Sequence, residues 1–394
     1  MFLMGCKTNQ VCEKNVVKDG FGFALEQFQV AVAEVEKAKE HETPDKVSPR
    51  TVEPDGSLRL VASRDWTSGF FSGSLWQMYE YTKQDQWKEL AKKYTAPIEP
   101  EKMNGVTHDM GFKVYCSFGN GYRLTGDQNY KDILLQAAAT LITRYKPNAG
   151  VIRSWDHNKD KWQNPVIIDN MMNLELLFWA FSETKDSVYY NIAVSHAKKT
   201  IENHFREDYS TYHVVDYDTI TGKILNKHTH QGYAHESAWA RGQAWAIYGY
   251  TMCYRKTNDP AFLEQAKSIA NYIFTHKNLP ADLIPYWDFD APEIPNEPRD
   301  VSAATVTASA LYELSLYDSA NALQYKKWAD TILENLNNNG YLAKLGESRG
   351  FLLLHSTGSK PMNSEVDVPL SYADYYYLEA LLRKQKLEAT GKIF

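Results

Sequence analysis

The chain of 394 residues contains only four cysteines, Cys6, Cys12, Cys116 and Cys253. None of them forms a Cys-x-x-Cys pair, so their spacing indicates neither a zinc site nor a redox motif. The net charge is −6 and no basic tract or arginine-rich helix is present, which argues against nucleic acid as the main partner. The sequence also lacks a stretch of about 20 unbroken apolar residues, so it predicts no membrane-spanning segment.

The first of these cysteines has a distinctive neighbourhood. The residues Leu3-Met4-Gly5-Cys6 are similar to the end of a bacterial lipoprotein signal, in which Cys6 would carry the lipid. Only five residues precede Cys6, so the charged and apolar regions of such a signal are missing. Two interpretations stay open: a truncated start with a periplasmic or lipid-anchored location, or an accidental match in a cytoplasmic protein. We predict a flexible N-terminal tail over 1–19 and a single catalytic domain over 20–394.

Aromatic residues are abundant, at 13% of the chain with 26 Tyr and 10 Trp. A large core of bulky side chains would account for them. A cleft lined with rings that stack on sugar faces would account for them equally well, and both can hold at once.

A short turn recurs along the chain. Each copy has a Thr, an Asp two or three residues later and an aromatic residue five later, and the Asp or its neighbour can cap the helix that follows. The clear copies lie at 82–87, 125–130, 184–189 and 257–262, with a looser copy at 318–325.

Apolar residues recur with helical spacing around these turns. The predicted helices are 20–42, 70–82, 85–95, 110–125, 128–146, 170–184, 187–206, 237–256, 260–277, 302–317, 322–337 and 371–387. Helical hairpins must stack to bury their apolar faces, and a solenoid would do so with a regular period. Here the spacing varies because long loops precede selected helices. The pattern therefore favours an all-α fold, an (α/α)6 barrel in which six helical hairpins close into a ring.

Two aspartates, Asp109 and Asp169, each precede a helix rich in aromatic residues or methionine. Asp is a good helix N-cap, which is the simplest interpretation. Both are also embedded in bulky apolar residues, an environment that raises a carboxyl pKa and suits a general acid. In a ring of hairpins they would face each other across one cavity. Two carboxyl groups over one sugar are the usual machinery of glycosidic bond cleavage.

Arg241 lies in an otherwise apolar helix, between Trp239 and Trp245. It is either a buried arginine paired with a structural carboxylate or a ligand for a substrate carboxylate, for which a guanidinium is well shaped. Four further side chains permit both a packing and a binding interpretation: Trp66, Phe70, His108 and His213.

Four segments resemble the unsaturated glucuronyl hydrolases of glycoside hydrolase family 88. They are HDMGF at 108–112, IIDNMMN at 167–173, QGYAHESAWARGQAW at 231–245, and the stretch 66–76. The similarity runs from about residue 20 to the C-terminus. It implies an (α/α)6 barrel, in agreement with the independent helix count. It also implies action on oligosaccharides made by polysaccharide lyases, which leave a C4=C5 double bond in the terminal uronic acid.

The resemblance also implies roles for individual residues. Asp169 would be the general acid/base that protonates C4 of the vinyl ether while water adds at C5, and Asp109 would assist, with the division of roles left open. The positions that would contact the substrate are Trp66, Phe70, His108, His213, Gln231, Trp239 and Arg241. No metal or organic cofactor is implied, and the expected partner is the unsaturated uronyl oligosaccharide itself.

The segment 355–360 has two interpretations. By the resemblance, Ser356, Ser359 and Lys360 would lie near the leaving sugar and hold a sulfate, but their spacing does not match that pattern cleanly, and a surface loop is the alternative. Three other functions stay open: an unsaturated rhamnogalacturonyl hydrolase, a sugar epimerase that uses histidines, and a helical-repeat glycan-binding protein. The stretch 231–245 favours the glucuronyl group.

Overall fold

The structure, a computed structural model, describes residues 15–394. The candidate lipid site Cys6 lies outside the described residues. The first helix begins at Val16, so residues 16–19 belong to a helix and not to the tail predicted over 1–19. Asn15 caps this helix, because its side chain accepts a hydrogen bond from the Lys18 amide at 3.0 Å. The assignment of 20–394 to a single domain stays a prediction.

Helices dominate the described part of the chain. The α-helices are α1 (Val16–Lys39), α2 (Ser68–Thr82), α3 (Asp85–Thr95), α4 (Asn120–Thr125), α5 (Gln128–Ile142), α6 (Asn170–Thr184), α7 (Ser187–His204), α8 (Ala240–Thr257), α9 (Pro260–Thr275), α10 (Val301–Leu314), α11 (Ala322–Asn338) and α12 (Ser371–Thr390). A π-helix (Gly111–Gly119) continues directly into α4, and we call the pair the π/α4 helix. Short 3-10 helices lie at Ala96–Met103, Ser348–Gly350 and Lys360–Met362.

The strands are few and short. They are β1 (Lys46–Val52), β2 (Leu58–Ala62), β3 (Tyr145–Lys146), β4 (Val151–Ile152), β5 (Pro165–Ile167), β6 (Val214–Tyr217) and β7 (Ile224–His228). They form two antiparallel pairs, β1-β2 and β3-β4, and one antiparallel three-stranded sheet in the order β5-β6-β7. In the three-stranded sheet Val166 pairs with Val215, and both side chains are fully buried. None of the helices described here is both long and apolar enough to cross a lipid bilayer.

Six helices form a closed inner ring. In order around the ring they are α2, the π/α4 helix, α6, α8, α10 and α12, each packed on the next, and α12 packs back on α2. Most residues of α8 and every residue of α10 are buried, because these helices have neighbours on all sides. The helices α3, α5, α7, α9 and α11 pack outside, and α1 packs on α12, α11 and α2 to complete the sixth hairpin. The predicted all-α (α/α)6 barrel is confirmed.

The repeated turn joins five of the inner helices, all but α12, to the outer helix that follows each of them. In the second copy the Thr125 hydroxyl donates to the Gly121 carbonyl at 2.7 Å and accepts from the Asp127 amide at 3.3 Å. Gly126 between them has φ +72°, a left-handed conformation that glycine adopts without strain. Asp127 then caps α5 by accepting from the Asn129 amide at 2.9 Å. The same bonds recur at two other copies, Thr184 with Asp186 and Thr257 with Asp259.

Five inner helices run in the same direction, since each is followed by such a turn and a returning outer helix. The sixth, α12, follows the outer helix α11 through residues 339–370 and runs the same way. Their first residues therefore meet at one end of the barrel, together with the long loops that precede them, and we call this end the loop mouth. Their last residues meet at the opposite end, the turn mouth. The loop mouth thus collects helix N-termini, which carry partial positive charge and exposed N–H groups.

Candidate active site

A cavity of about 530 Å³ opens at the loop mouth. Both predicted catalytic residues, Asp109 and Asp169, line it, as do Trp66, Gln231 and Arg241. The first four come from four different loops, and Arg241 lies in the first turn of α8; the closed ring brings them together. The prediction that the two aspartates face one cavity is therefore confirmed by the geometry.

Close packing of two inner helices positions the two aspartates relative to each other. The side-chain oxygen of Asn173 in α6 accepts from the Phe112 amide at the start of the π/α4 helix, at 3.1 Å. Gly111 makes this approach possible, because a Cβ at that position would lie 2.7 Å from the Asn173 Cα. Asp109 and Asp169 precede these two helix starts, so a larger residue at 111 would push their loops apart.

Asp169 occupies the N-cap position of α6, yet its side chain accepts no capping hydrogen bond. Its Oδ2 is buried and has no hydrogen-bond partner among residues 15–394. Burial raises the pKa of Asp169 to about 6, and the nearby positive charge of Arg241 offsets only part of that effect. The N-cap interpretation therefore does not describe this side chain, which is a carboxyl group able to hold a proton near neutral pH.

His213 faces this carboxyl group in a defined tautomer. Its Nδ1 accepts from the backbone amides of His230 and Gln231, each at 3.1 Å. The ring proton consequently lies on Nε2, which is 3.7 Å from Oδ2 of Asp169. Burial, together with the neighbouring His230, lowers the pKa of His213 well below its usual value. A neutral N–H group is thus aimed at Asp169.

Asp109 has the opposite electrostatic environment. The Thr107 hydroxyl donates to its carboxylate, and Nε2 of His108 lies 3.2 Å from its Oδ1. Burial alone would raise the pKa of Asp109, but His108 and Thr107 outweigh burial and hold the pKa below its ordinary value. Two neighbouring carboxyl groups whose pKa values are driven apart are the arrangement expected of an acid and a base.

Arg241 is buried and hydrogen-bonded on two sides. Its Nη1 donates to Asp300 at 2.7 Å and to the Thr357 carbonyl at 2.6 Å, and its Nη2 donates to the Gly358 carbonyl at 2.6 Å. The guanidinium also lies 4.5 Å from the centre of the Trp239 ring. These contacts match the interpretation of a paired structural arginine, although the side chain also lines the cavity. Binding of a substrate carboxylate by Arg241 stays a prediction.

The predicted aromatic contacts divide into two groups. Trp66 is partly exposed and lines the cavity, whereas Phe70 is fully buried and meets Trp66 edge-on at 5.9 Å. Trp239 is also buried, between Arg241 and the His213 ring at 4.5 Å. Phe70 and Trp239 therefore support residues of the cavity wall, and Trp66 is the ring available to a ligand.

The segment 355–360 does not act as one unit. Ser359 lines the cavity, but Ser356 is fully buried and its backbone pairs with Val368. The Lys360 ammonium forms an ion pair with the buried carboxylate of Glu297. These three side chains are not brought together on the cavity wall.

The cavity also contains residues that the sequence reasoning missed. Arg50 in β1 donates to Glu365 at 2.7 Å and to Asp65 at 2.8 Å, which joins the start of the chain to a loop more than 300 residues away. Trp155 and His157 stack at 5.0 Å on another part of the wall. Trp155 could have been predicted as a site residue, because it is an aromatic residue in the otherwise polar loop 153–161. The contact between Arg50 and Glu365 could not, because nothing in their spacing indicates it. Within residues 15–394, no three His, Cys, Asp or Glu side chains are grouped to hold a metal ion.

Comparison with known proteins gives concordant results. The profile of Glycosyl Hydrolase Family 88 matches residues 37–291. The chain is 53% identical over 331 residues to an unsaturated glucuronyl hydrolase of Formosa agariphila, covering 84% of this chain and 82% of that protein. It is 34% identical over 338 residues to an unsaturated chondroitin disaccharide hydrolase of Streptococcus pneumoniae, covering 84% and 85%. A crystal structure of an unsaturated glucuronyl hydrolase specific for heparin superposes with a TM-score of 0.89 at 47% identity, covering 95% of this chain and 98% of that one.

Proposed function

The chain belongs to glycoside hydrolase family 88, and from this premise we propose that it releases a terminal 4,5-unsaturated uronic acid from oligosaccharides made by polysaccharide lyases. The observation that carries the proposal is the Oδ2 of Asp169, a buried oxygen without a hydrogen-bond partner in the described range 15–394, on a carboxyl group whose pKa is about 6. A vinyl ether is hydrolysed by protonation at carbon, which requires a proton donor that is still protonated near neutral pH.

In the proposed reaction Asp169 delivers its proton to C4, and the electrons of the C4=C5 bond form the new C–H bond. Positive charge develops at C5 and is shared with the ring oxygen. Water then adds at C5 and gives its proton to a carboxylate, for which Asp109 is suited because its pKa is lowered. The hemiketal opens and releases the rest of the sugar. The net change is the addition of one water molecule.

In this proposal His213 and Arg241 assist the reaction through their positions beside Asp169 and the substrate. As Asp169 loses its proton, its Oδ2 gains negative charge, and the Nε2–H group 3.7 Å away can move into hydrogen-bonding distance. The guanidinium of Arg241, oriented by Asp300 and two carbonyls, supplies positive charge in the same wall and is our candidate for the uronate carboxylate. The substrate therefore meets a proton donor, an anion-binding group and a polarising N–H group on neighbouring surfaces.

The test is the loss of ultraviolet absorbance from the C4=C5 bond with a panel of lyase-produced disaccharides from glycosaminoglycans and pectin. We expect absorbance loss with at least one glycosaminoglycan disaccharide, with and without a chelator. In deuterated water the released uronic acid should carry one deuterium at C4, because the proton comes from an exchangeable carboxyl group.

Matched saturated disaccharides are the control, since they lack the double bond and should not be cleaved. Cleavage of both substrate forms would indicate direct displacement at C1 and would contradict the proposal. Activity with the pectin disaccharide alone would favour the rhamnogalacturonyl alternative.

We also propose a location on separate grounds. The segment Leu3-Met4-Gly5-Cys6 supports attachment of a lipid to Cys6, which would hold the enzyme at a membrane surface facing the periplasm. Expression of the native gene with labelled fatty acid should label the wild type and not Cys6→Ser. If neither the wild type nor Cys6→Ser is labelled, the proposal is wrong and the cytoplasmic alternative is favoured.

A further inference from the structure

Three arginines line the cavity at the loop mouth: Arg50, Arg64 and Arg241. Two of them have carboxylate partners. Arg50 is paired with Asp65 and Glu365, and the charge of Arg241 is balanced by Asp300. The charge of each of these two guanidinium groups is therefore balanced by at least one protein carboxylate.

Arg64 differs from the other two. It is exposed, and it forms no hydrogen bond or ion pair with another residue of the described range 15–394. The positive charge of Arg64 contributes only a small part of the lowered pKa of the fully exposed Asp45, which is due mainly to the Thr43 hydroxyl. A cavity-lining guanidinium without a protein partner is a ready site for an anion.

The depth of the cavity indicates which part of the substrate Arg64 would meet. Asp169 is 7% exposed and lies deep in the cavity, whereas Arg64, His157 and Met362 are exposed and line its outer part. The unsaturated ring is the terminal one and must reach Asp169, so it enters first. The leaving sugar then occupies the outer part, beside Arg64.

Other charges near the outer part are neutralised. Asp156 is paired with Arg144 and Arg153, both at 3.1 Å. Lys360, the cation expected from the sequence to hold a sulfate, is occupied by Glu297 and does not line the cavity. The outer cavity therefore has one uncompensated arginine and no competing unpaired carboxylate among its described lining residues.

Resting on the proposed function, we infer that Arg64 binds an anionic substituent of the leaving sugar, either a sulfate ester or a carboxylate, and so determines specificity for that sugar. A guanidinium can donate two parallel hydrogen bonds to either group. Arg64 does not touch the reacting atoms, so it should affect the choice of substrate and not the chemistry at C4 and C5.

The experiment compares unsaturated disaccharides that share the uronic acid and linkage and differ in the leaving sugar, which is neutral, O-sulfated or carboxylated. In Arg64→Gln we expect kcat/KM to fall about 10-fold for an anionic leaving sugar, the scale of one charge-assisted hydrogen bond, and to stay within about twofold for the neutral one. Arg64→Lys should retain part of the preference, and added salt should weaken it in the wild type because the site is exposed. The sulfated and carboxylated arms show which anion Arg64 recognises.

Lys344→Gln is the matched control, since it removes one exposed positive charge that does not line the cavity and should leave all ratios unchanged. Equal kcat/KM ratios between anionic and neutral substrates in the wild type and Arg64→Gln would overturn the inference while leaving the proposed function intact. A wild-type enzyme inactive on every unsaturated disaccharide would overturn the proposed function itself.

Discussion

The two ends of the barrel enclose cavities of similar volume, about 530 Å³ at the loop mouth and about 570 Å³ at the turn mouth. Both are lined by charged side chains, but they differ in how those charges are satisfied. At the turn mouth Arg255 is paired with Glu175 at 2.7 Å and with Glu313 at 2.9 Å, and Arg383 is also paired with Glu313 at 2.9 Å. Arg255 lies in the last turn of α8, where its charge offsets the negative end of the helix dipole.

At the loop mouth several polar atoms have no partner among the described residues. They include Oδ2 of Asp169, Nε2 of His213, Oγ of Ser359 and Nε1 of Trp155. Unpaired buried polar groups lower stability, so their presence beside the two aspartates calls for a functional explanation. At the turn mouth, the described lining residues with such atoms are Gln77 and Arg255. Cavity volume therefore does not distinguish the two ends, whereas the unpartnered carboxyl oxygen of Asp169 does.

The largest effect on catalysis should come from removing the acidic proton of Asp169 at the loop mouth. Asp169→Asn keeps the shape of the side chain but cannot protonate C4, so we expect kcat to fall by at least ~100-fold and up to ~10⁴-fold, the range of general acid catalysis. Turnover is measured by loss of absorbance, and circular dichroism checks the fold. A folded variant with near-normal turnover would remove Asp169 from the mechanism.

The same kind of substitution at the turn mouth should affect stability and not catalysis. Glu313→Gln removes the buried carboxylate shared by Arg255 and Arg383, and we expect the free energy of unfolding to fall by about 3 kcal/mol, as for other broken buried ion pairs. Urea denaturation measures the loss, and kcat/KM of the folded fraction should stay at the wild-type value. A selective loss of kcat/KM without loss of stability would mean that the turn mouth takes part in function.

A pair of arginine substitutions sharpens the comparison. Arg241→Lys keeps the charge but loses the planar fork, so transition-state binding should weaken by roughly 1–3 kcal/mol. Arg383→Lys makes the same change at the turn mouth and should reduce stability alone. If Arg241→Lys is destabilised while its kcat/KM is unchanged, Arg241 serves only to neutralise Asp300.

The smallest effect is the pH dependence of the wild type. The raised pKa of Asp169, about 6, means that its acid form is lost as the pH rises through 6. We therefore expect kcat/KM to fall about tenfold per pH unit on the alkaline side, because it follows the protonated fraction of the free enzyme. On the acidic side activity should persist until Asp109, whose pKa is lowered, takes up a proton. A profile that is flat between pH 5 and pH 8 would contradict the assignment of the acid.

Local patterns in the sequence were sufficient for the helices and their hairpins. The Thr-to-Asp turns end one helix and cap the next through bonds between near neighbours, so their spacing predicts both boundaries. The aspartates were also accessible from sequence, because each precedes an inner helix. The π-helix (Gly111–Gly119) was predicted only as an ordinary helix, since its wider turn depends on packing against α2 and α6.

Residues that depend on contacts distant in sequence could not be predicted. The pairing of Arg50 with Glu365 joins positions separated by 315 residues and leaves no local spacing to read. The ion pair of Lys360 with Glu297 could not be predicted for the same reason, because Glu297 lies on another loop. Arg241 shows a further limit of sequence analysis. The apolar residues around it predicted that its side chain is buried, but they did not indicate whether Asp300 or a ligand would balance its charge.

The inner ring closes only when α12, the last helix, packs on α2, and α1 packs on α12 to complete the sixth hairpin. The ribosome synthesises these helices in order, so the first five hairpins are available to fold before α12 has been synthesised. The wall of the site, however, needs Trp66 from an early loop and Tyr372 from the last helix, which pack at 4.8 Å. Enzymatic activity is therefore acquired in a single late event during biosynthesis, and nascent or prematurely terminated chains should be inactive.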